Sequence, residues 1–248
     1  MAINLQKGQK IDLTKTNPAL KKIIVELGWN TGGKANFDLD TSAFLLGADA
    51  KVISAGDFIF YNNLKHSSGA VEHFGDNLVD AGGNSVEKIC VNLDKIPAEI
   101  SKIAFAVTIH EAEERKQNFR QIQGAFIKIV DAATDNDLIR YDLQENFSIE
   151  TAIIAGEIYR HVGEWKFSAI GTGFSGGLAA LGRNFGVKTE NKTSSISIAL
   201  YPAVKLDIKK LAAIRKTTLS EIVNEALEKF IEAHRQEIKN YDDFIKNS

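Results

Sequence analysis

Between Asp38 and Glu87 the chain repeats one combination, oxygen-bearing side chains at the ends of short apolar, β-prone runs. The stretch reads F-D-L-D-T-S-A-F-L-L, then G-D-F-I-F-Y-N-N, then H-F-G-D-N. Asp38 and Asp40 stand two apart, so in a strand both project from one face. Asn62 and Asn63 follow the run Phe58–Tyr61, and Asp76 and Asn77 follow Gly75. These clusters of carboxylates and amides contain no cysteine and have His73 close by, a donor set that suits a hard cation. Calcium takes six to eight oxygens of this kind, from Asp, Asn and backbone carbonyls. The competing reading of each residue taken alone is turn chemistry, since Asp and Asn after strands bond their own backbone.

The elements that must position these residues are constrained by composition. A chain of 248 residues can bury a large core as one domain or two. Its net charge of −2 and 44% hydrophobic content are ordinary for a globular protein and neither favour nor exclude nucleic acid. One cysteine, Cys90 within I-C-V-N-L, excludes an intramolecular disulfide and a cysteine-based zinc site. M-A-I-N-L-Q-K-G-Q-K lacks the apolar core of a signal peptide, and the strongest apolar run, Ile103–Ile109, is strand-sized. The expectation is a cytoplasmic protein with no membrane insertion.

Up to about Ser168, short β-branched or aromatic runs alternate with Gly, Asn and Asp, the pattern of a mainly β sandwich. The expected strands include Ile23–Leu27, Ala43–Leu46, Phe58–Tyr61, Ile89–Leu93, Ile103–Ile109, Ala125–Val130 and Trp165–Ile170. Helical pieces are expected around Thr151–Tyr159 and Gly176–Asn184. After Gly186 the polar stretch V-K-T-E-N-K-T reads as a linker, followed by an alternating strand, Ser195–Leu200, and then helix. Ile222, Val223, Ala226, Leu227, Phe230 and Ile231 form an apolar stripe at helical spacing. So small a unit with so much apolar surface needs a partner, and self-association supplies one.

The motifs G-W-N, F-D-L-D-T-S-A-F-L-L, G-D-F-I-F-Y-N-N, G-D-N, F-A-V-T-I-H, N-F-R-Q-I and G-E-I-Y-R-H-V-G-E-W-K-F-S-A-I-G-T-G-F occur in this order over roughly residues 1–187. Together they resemble the TerD family of bacterial tellurite-resistance and stress proteins. The resemblance implies a β-sandwich that binds Ca2+ in acidic loops, a stress or tellurite-resistance role and no enzymatic activity. Carried over residue by residue, the metal set is Asp38, Asp40, Asn62, Asn63, Asp76, Asn77 and Glu87. One segment departs from the family pattern. The chain reads G-D-N-L-V-D-A-G-G-N-S-V-E, so Gly83, Ser85 and Val86 stand where the family usually carries carboxylates, leaving Glu87, with Asp80 nearby. Fewer ligand charges weaken calcium binding.

Residues 194–230 are similar to ribbon-helix-helix proteins of the CopG/Arc type. The strand is S-S-I-S-I-A-L, the helices are V-K-L-D-I-K-K-L-A-A-I and S-E-I-V-N-E-A-L-E-K-F, and the turn is R-K-T-T-L-S. That resemblance implies a two-fold homodimer whose paired strands can enter the DNA major groove. Ser195, Ser197 and Ala199 then occupy the outward, base-facing positions, with Ser220 at a phosphate-holding helix start and Arg215 and Lys216 in the turn. The outward set lacks Arg, Lys, Asn and Gln, the side chains that make the strongest base contacts. Residues 192–216 nevertheless hold six bases against one acid, whereas residues 217–248 hold four against seven. The module is therefore a dimerisation device or a DNA-binding one, and both readings stand at this point.

Gly171, Gly173 and Gly176 spell G-x-G-x-x-G after an expected strand, but a dinucleotide site needs a parallel βαβ unit and the chain continues into a different module. The five histidines, including His66, His73 and His110, show no metal spacing and no evident nucleophile; no Ser-His-Asp or Cys-His arrangement is legible. Glu111, Glu113 and Glu114 read as a solvated loop, and Trp29 and Trp165 as core. The expected organisation is a TerD-like calcium-binding sandwich (1–187), a linker (188–193) and a ribbon-helix-helix module with a helical tail (194–248). The expected protein is a non-enzymatic, homodimeric stress-response protein, with other stress proteins and DNA as candidate partners. A transcriptional regulator with a calcium- or partner-sensing domain is the alternative.

Overall fold

Runs rich in Ile, Val, Phe and Ala between Lys22 and Phe174 pair into two sheets that face each other across one core. The computed structural model describes residues 2–30, 37–75, 78–79, 85–143, 147–187, 201–215 and 219–237. The strands are β1 (Ile3–Leu5), β2 (Lys10–Asp12), β3 (Lys22–Asn30), β4 (Leu39–Leu46), β5 (Phe58–Ile59), β6 (Val71–His73) and β7 (Leu78–Val79). They continue with β8 (Ser85–Asn92), β9 (Lys102–Ile109), β10 (Gln123–Asp131), β11 (Asn136–Asp142), β12 (Ala152–His161) and β13 (Glu164–Phe174). Three helices follow, α1 (Gly177–Phe185), α2 (Pro202–Arg215) and α3 (Leu219–Ala233). One sheet runs β1-β11-β10-β3-β8-β6, with β7 also paired to β8, and the other β2-β13-β12-β9-β4-β5. All neighbours are antiparallel except β1, which runs parallel to β11.

The sandwich is filled from both inner faces, with Val25, Leu27, Ile127 and Ile129 from one sheet and Leu45, Ile103, Phe105, Val107 and Phe167 from the other. A second, smaller core lies on the outer face of the β4-bearing sheet. There Leu181 and Phe185 of α1 cover Phe44, Leu46 and Ile154, with the small side chains Ala104 and Ala106 beneath. The strands β4, β9 and β12 are thus buried on both faces. That double burial explains the one wrong element in the sequence reading. Residues 151–159 read as helix because A-I-I-A-G-E-I-Y has no period-two alternation, yet they form β12, a central strand with apolar neighbours on both sides. The expected strand at Phe58–Tyr61 is also shorter, because the chain turns after Ile59.

The exposed face of the β3-bearing sheet is held by ion pairs. Glu26 bonds Lys88 at 2.7 Å and Lys128 at 2.8 Å, and Lys128 also meets Asp137 at 3.0 Å. Burial works against the Glu26 charge, but the two ammonium groups outweigh it and hold the carboxyl below its usual range. The β12–β13 hairpin closes through Val162 and Gly163, with φ of 51° and 81°. Two positive φ values fit a type I′ turn, in which Gly163 is at ease and Val162 is strained.

The chain divides into two compact units, Met1–Lys192 and Thr193–Ser248. In the second unit α2 and α3 bury Ala212 and Ile222, while Val204, Leu206, Ile214, Leu227, Phe230 and Ile231 remain exposed. The linker expected at 188–193 and the strand expected at Ser195–Leu200 lie outside the described residues. Among the described residues no helix is long and apolar enough to cross a membrane.

Candidate metal site

Antiparallel register brings particular strand ends together. Trp29 pairs with Ser85, Leu39 with Ile109, and Thr108 with Ala152, so β3 ends where β4 and β8 begin and β9 finishes. Asp38, just before β4, and Asp40, in its second position, therefore sit at one end of the sandwich. Asp38 is exposed and accepts the His110 amide at its carbonyl, at 2.8 Å. Asp40 is half-buried, with Oδ2 3.6 Å from His110 Nδ1. Burial and then the Asp40 charge push the Tyr61 phenol up. The β4–β5 register, Ala43 opposite Ile59, directs the turn carrying Asn62 back along β4 toward the same end. Asn62 is exposed there.

Asn63 and Glu87 are committed elsewhere. Asn63 Nδ2 donates to the Phe58 carbonyl at 2.7 Å and its backbone pairs with Phe60, so this side chain builds the turn. Glu87 points into the inter-sheet core and is 2% exposed. Its Oε2 accepts the Thr41 amide at 2.9 Å and the Thr41 hydroxyl at 2.7 Å. Thr41 and Asp40 are consecutive in β4 and face opposite sides of the sheet, so Glu87 and Asp40 are separated by the sheet itself. His73 completes the buried cluster. Gly75 N–H donates to His73 Nδ1 at 3.0 Å, which leaves the proton on Nε2 to be donated to Thr41 Oγ1 at 2.8 Å. One carboxylate, one hydroxyl and one imidazole thereby tie β4 to β8 and β6. Nothing in residue spacing marks Thr41 for this role.

Asp76, Asn77, Asp80 and Gly83 lie outside the described residues, whereas Val86, at one of the carboxylate-poor positions, is buried. Among the described residues no group of three or more His, Cys, Asp or Glu is placed to hold a metal. What the described end offers is the pair Asp38 and Asp40. Hard oxygen donors on an open strand end, with no thiolate, fit a calcium-like ion.

Two further features change how the sequence reads. The helix-like start after the glycine run is already occupied, since Thr151 Oγ1 accepts the amides of Gly176 and Gly177 at 3.1 and 2.8 Å. A phosphate would find those donors taken, and β13, which carries Gly171 and Gly173, is antiparallel to β12. The second feature is a serine–histidine–aspartate chain that spacing did not reveal, formed by Asp57, His66 and Ser68. Of the DNA-directed residues, Ser195, Ser197, Ala199 and Lys216 lie outside the described residues, as does the Ser220 side chain. Arg215 is paired to Glu225 at 2.7 Å.

Comparison with known proteins places this geometry. The TerD domain family matches residues 1–185. The chain belongs to the TerD family. It is 58% identical over 191 residues to general stress protein 16U of Bacillus subtilis (strain 168), covering 76% of this chain and 99% of that protein. It is 47% identical over 190 residues to the tellurium resistance protein TerD of Alcaligenes sp, covering 75% and 98%. A crystal structure of a telluride resistance protein (TerD) homologue from Streptomyces coelicolor A3(2) shares the fold. Its TM-score is 0.52 at 20% identity, over 64% of this chain and 94% of that one. The TerD match ends before the second unit begins.

Proposed function

We propose that this TerD-family chain is a non-enzymatic, calcium-binding stress-response protein of the cytoplasm whose second unit holds two copies together. The observation that carries the metal reading is the placement of Asp38 and Asp40 on one face at the open strand end. In sequence, Asp76, Asn77 and Asp80 fall between β6 and β8, whose first residue Ser85 pairs with Trp29. Asn62 stands toward the open strand end, whereas Asn63 and Glu87 act as turn and core residues. Calcium held there by Asp38 and Asp40 would supply charge neutralisation for the two carboxylates. A ligand specific for the native state at one hundred times its Kd adds about 2.7 kcal/mol. For a domain of this size that is about 5–11 °C in Tm. Chelator-stripped protein should gain a shift of this order on adding calcium, and an unchanged Tm overturns the reading.

The dimer reading rests on the apolar side chains that α2 and α3 leave exposed, led by Phe230, 62% exposed, and Ile214, 77% exposed. A second copy in a ribbon-helix-helix arrangement covers them and also pairs the expected strand Ser195–Leu200. Arg215, given by the resemblance a DNA-facing place in the turn, is paired to Glu225, and dimerisation is the reading we carry forward. Sedimentation of the full chain should give a dimer that Phe230→Glu converts to monomer. A monomeric native chain sinks the assignment.

A further inference from the structure

The turn after β5 and the short 3-10 helix before it hold a cluster that the calcium reading does not use. We propose that Ser68 is a nucleophilic serine, activated by His66 and Asp57, that accepts an acyl or phosphonyl group from an already activated donor. The proton positions follow from the partners. Ser68 N–H donates to His66 Nδ1 at 3.2 Å, so in the neutral ring Nδ1 is the acceptor and Nε2 carries the proton. Nε2–H donates to Asp57 Oδ1 at 3.0 Å, and the Ser68 hydroxyl donates to Nδ1 at 2.7 Å. This is the nucleophile–base–orienter order of a hydrolase triad, with the two ring nitrogens exchanged.

The base is firmly held. Asp57 and His66 are each 6% exposed. Asp57 Oδ2 accepts the amides of Ile53 and Ser54 at 3.1 and 2.6 Å and the Ser54 hydroxyl at 3.0 Å. Three donors on one oxygen fix the carboxylate and leave the other for the imidazole. Ser68 itself is exposed. Its Oγ accepts Ala70 N–H at 3.1 Å, which stabilises negative charge on the oxygen and leaves one lone pair for attack. In the reaction Oγ forms the bond to the acyl carbon or phosphorus and its proton passes to His66 Nδ1. The leaving group departs with its bonding electrons and takes that proton.

The same turn limits the chemistry. Gly69 N–H is given to the His66 carbonyl, Ala70 N–H to Ser68 Oγ and Ser68 N–H to the ring, so none is left to hold an oxyanion. Oxyanion stabilisation is the larger share of turnover in such enzymes. The expected behaviour is therefore single-turnover modification of Ser68 by reactive donors, outside any multiple-turnover hydrolysis.

The test is labelling of the full chain with a fluorophosphonate probe, with the labelled residue located by mass spectrometry. Ser67, exposed and adjacent, is an internal control that needs no variant. Label should appear on Ser68 over Ser67, and His66→Gln should slow it by roughly 100-fold, the low end of general-base assistance. Equal labelling of the two serines, no labelling of Ser68, or an unchanged rate in a folded His66→Gln chain overturns the proposal. Asp57→Asn, with folding checked by circular dichroism, should slow labelling without altering Ser67.

Discussion

Replacing Thr41 by Val tests the buried link between the sheets with little change in shape, since both side chains are β-branched and suit a strand. The substitution deletes the oxygen that accepts from His73 Nε2 at 2.8 Å and donates to Glu87 Oε2 at 2.7 Å. A buried polar group that loses its partner costs about 1–3 kcal/mol. Two groups are affected, and neither is stranded completely. Glu87 keeps the Thr41 amide at 2.9 Å, and His73 Nε2 already lies 3.5 Å from Oε2, close enough for a small shift to recover part of the loss. The expected net cost is about 2–3 kcal/mol, or about 4–12 °C in Tm. Urea unfolding followed by the fluorescence of the buried Trp29 and Trp165 gives the number directly. A cost below about 0.5 kcal/mol, the range of an indifferent substitution, would mean that the hydroxyl bridges nothing of consequence.

Two further outcomes are expected. Val162→Asn relieves a β-branched residue at φ 51° in the β12–β13 turn and should stabilise by about 1 kcal/mol, read as a Tm rise of about 2–4 °C; a fall would show that the turn is not of this type. Glu26, whose carboxyl is held low by Lys128 and Lys88 against burial, contributes stability that is complete above its unfolded pKa of about 4.3 and disappears as pH falls through the lower folded value. Glu26→Gln should therefore flatten the stability profile in that acid window, whereas an unchanged slope there would rule out the ion pairs as its source.

Much of the sandwich was legible because strands such as β9, K-I-A-F-A-V-T-I, are strand-length apolar runs rich in β-branched residues. Of the strands of two or three residues, β5 lies in the expected run Phe58–Tyr61, whereas β1, β2, β6 and β7 exist through the edges they pair with and carry too few residues to show a period. The strand β12 was misread because burial on both faces erases alternation. The site divides along similar lines. Asp38 and Asp40 stand two apart in sequence, and a common face for that spacing follows from strand geometry alone. Glu87 turns inward in phase with Ile89 and Val91 along β8, but its partner Thr41 lies 46 positions away and no local pattern marks that contact. Asp57 meets His66 for a related reason, since a helical turn capped by Ser54 and a hairpin at residues 65–72 must both form before the two side chains meet.

The calcium reading meets its most direct test in isothermal titration calorimetry of chelator-stripped protein, native and with Asp38→Asn and Asp40→Asn combined. The account predicts a saturable heat for the native chain and at least about tenfold weaker binding for the double variant, because affinity follows the number of ligand charges. No heat from the native chain, or identical isotherms from the two proteins, would contradict it.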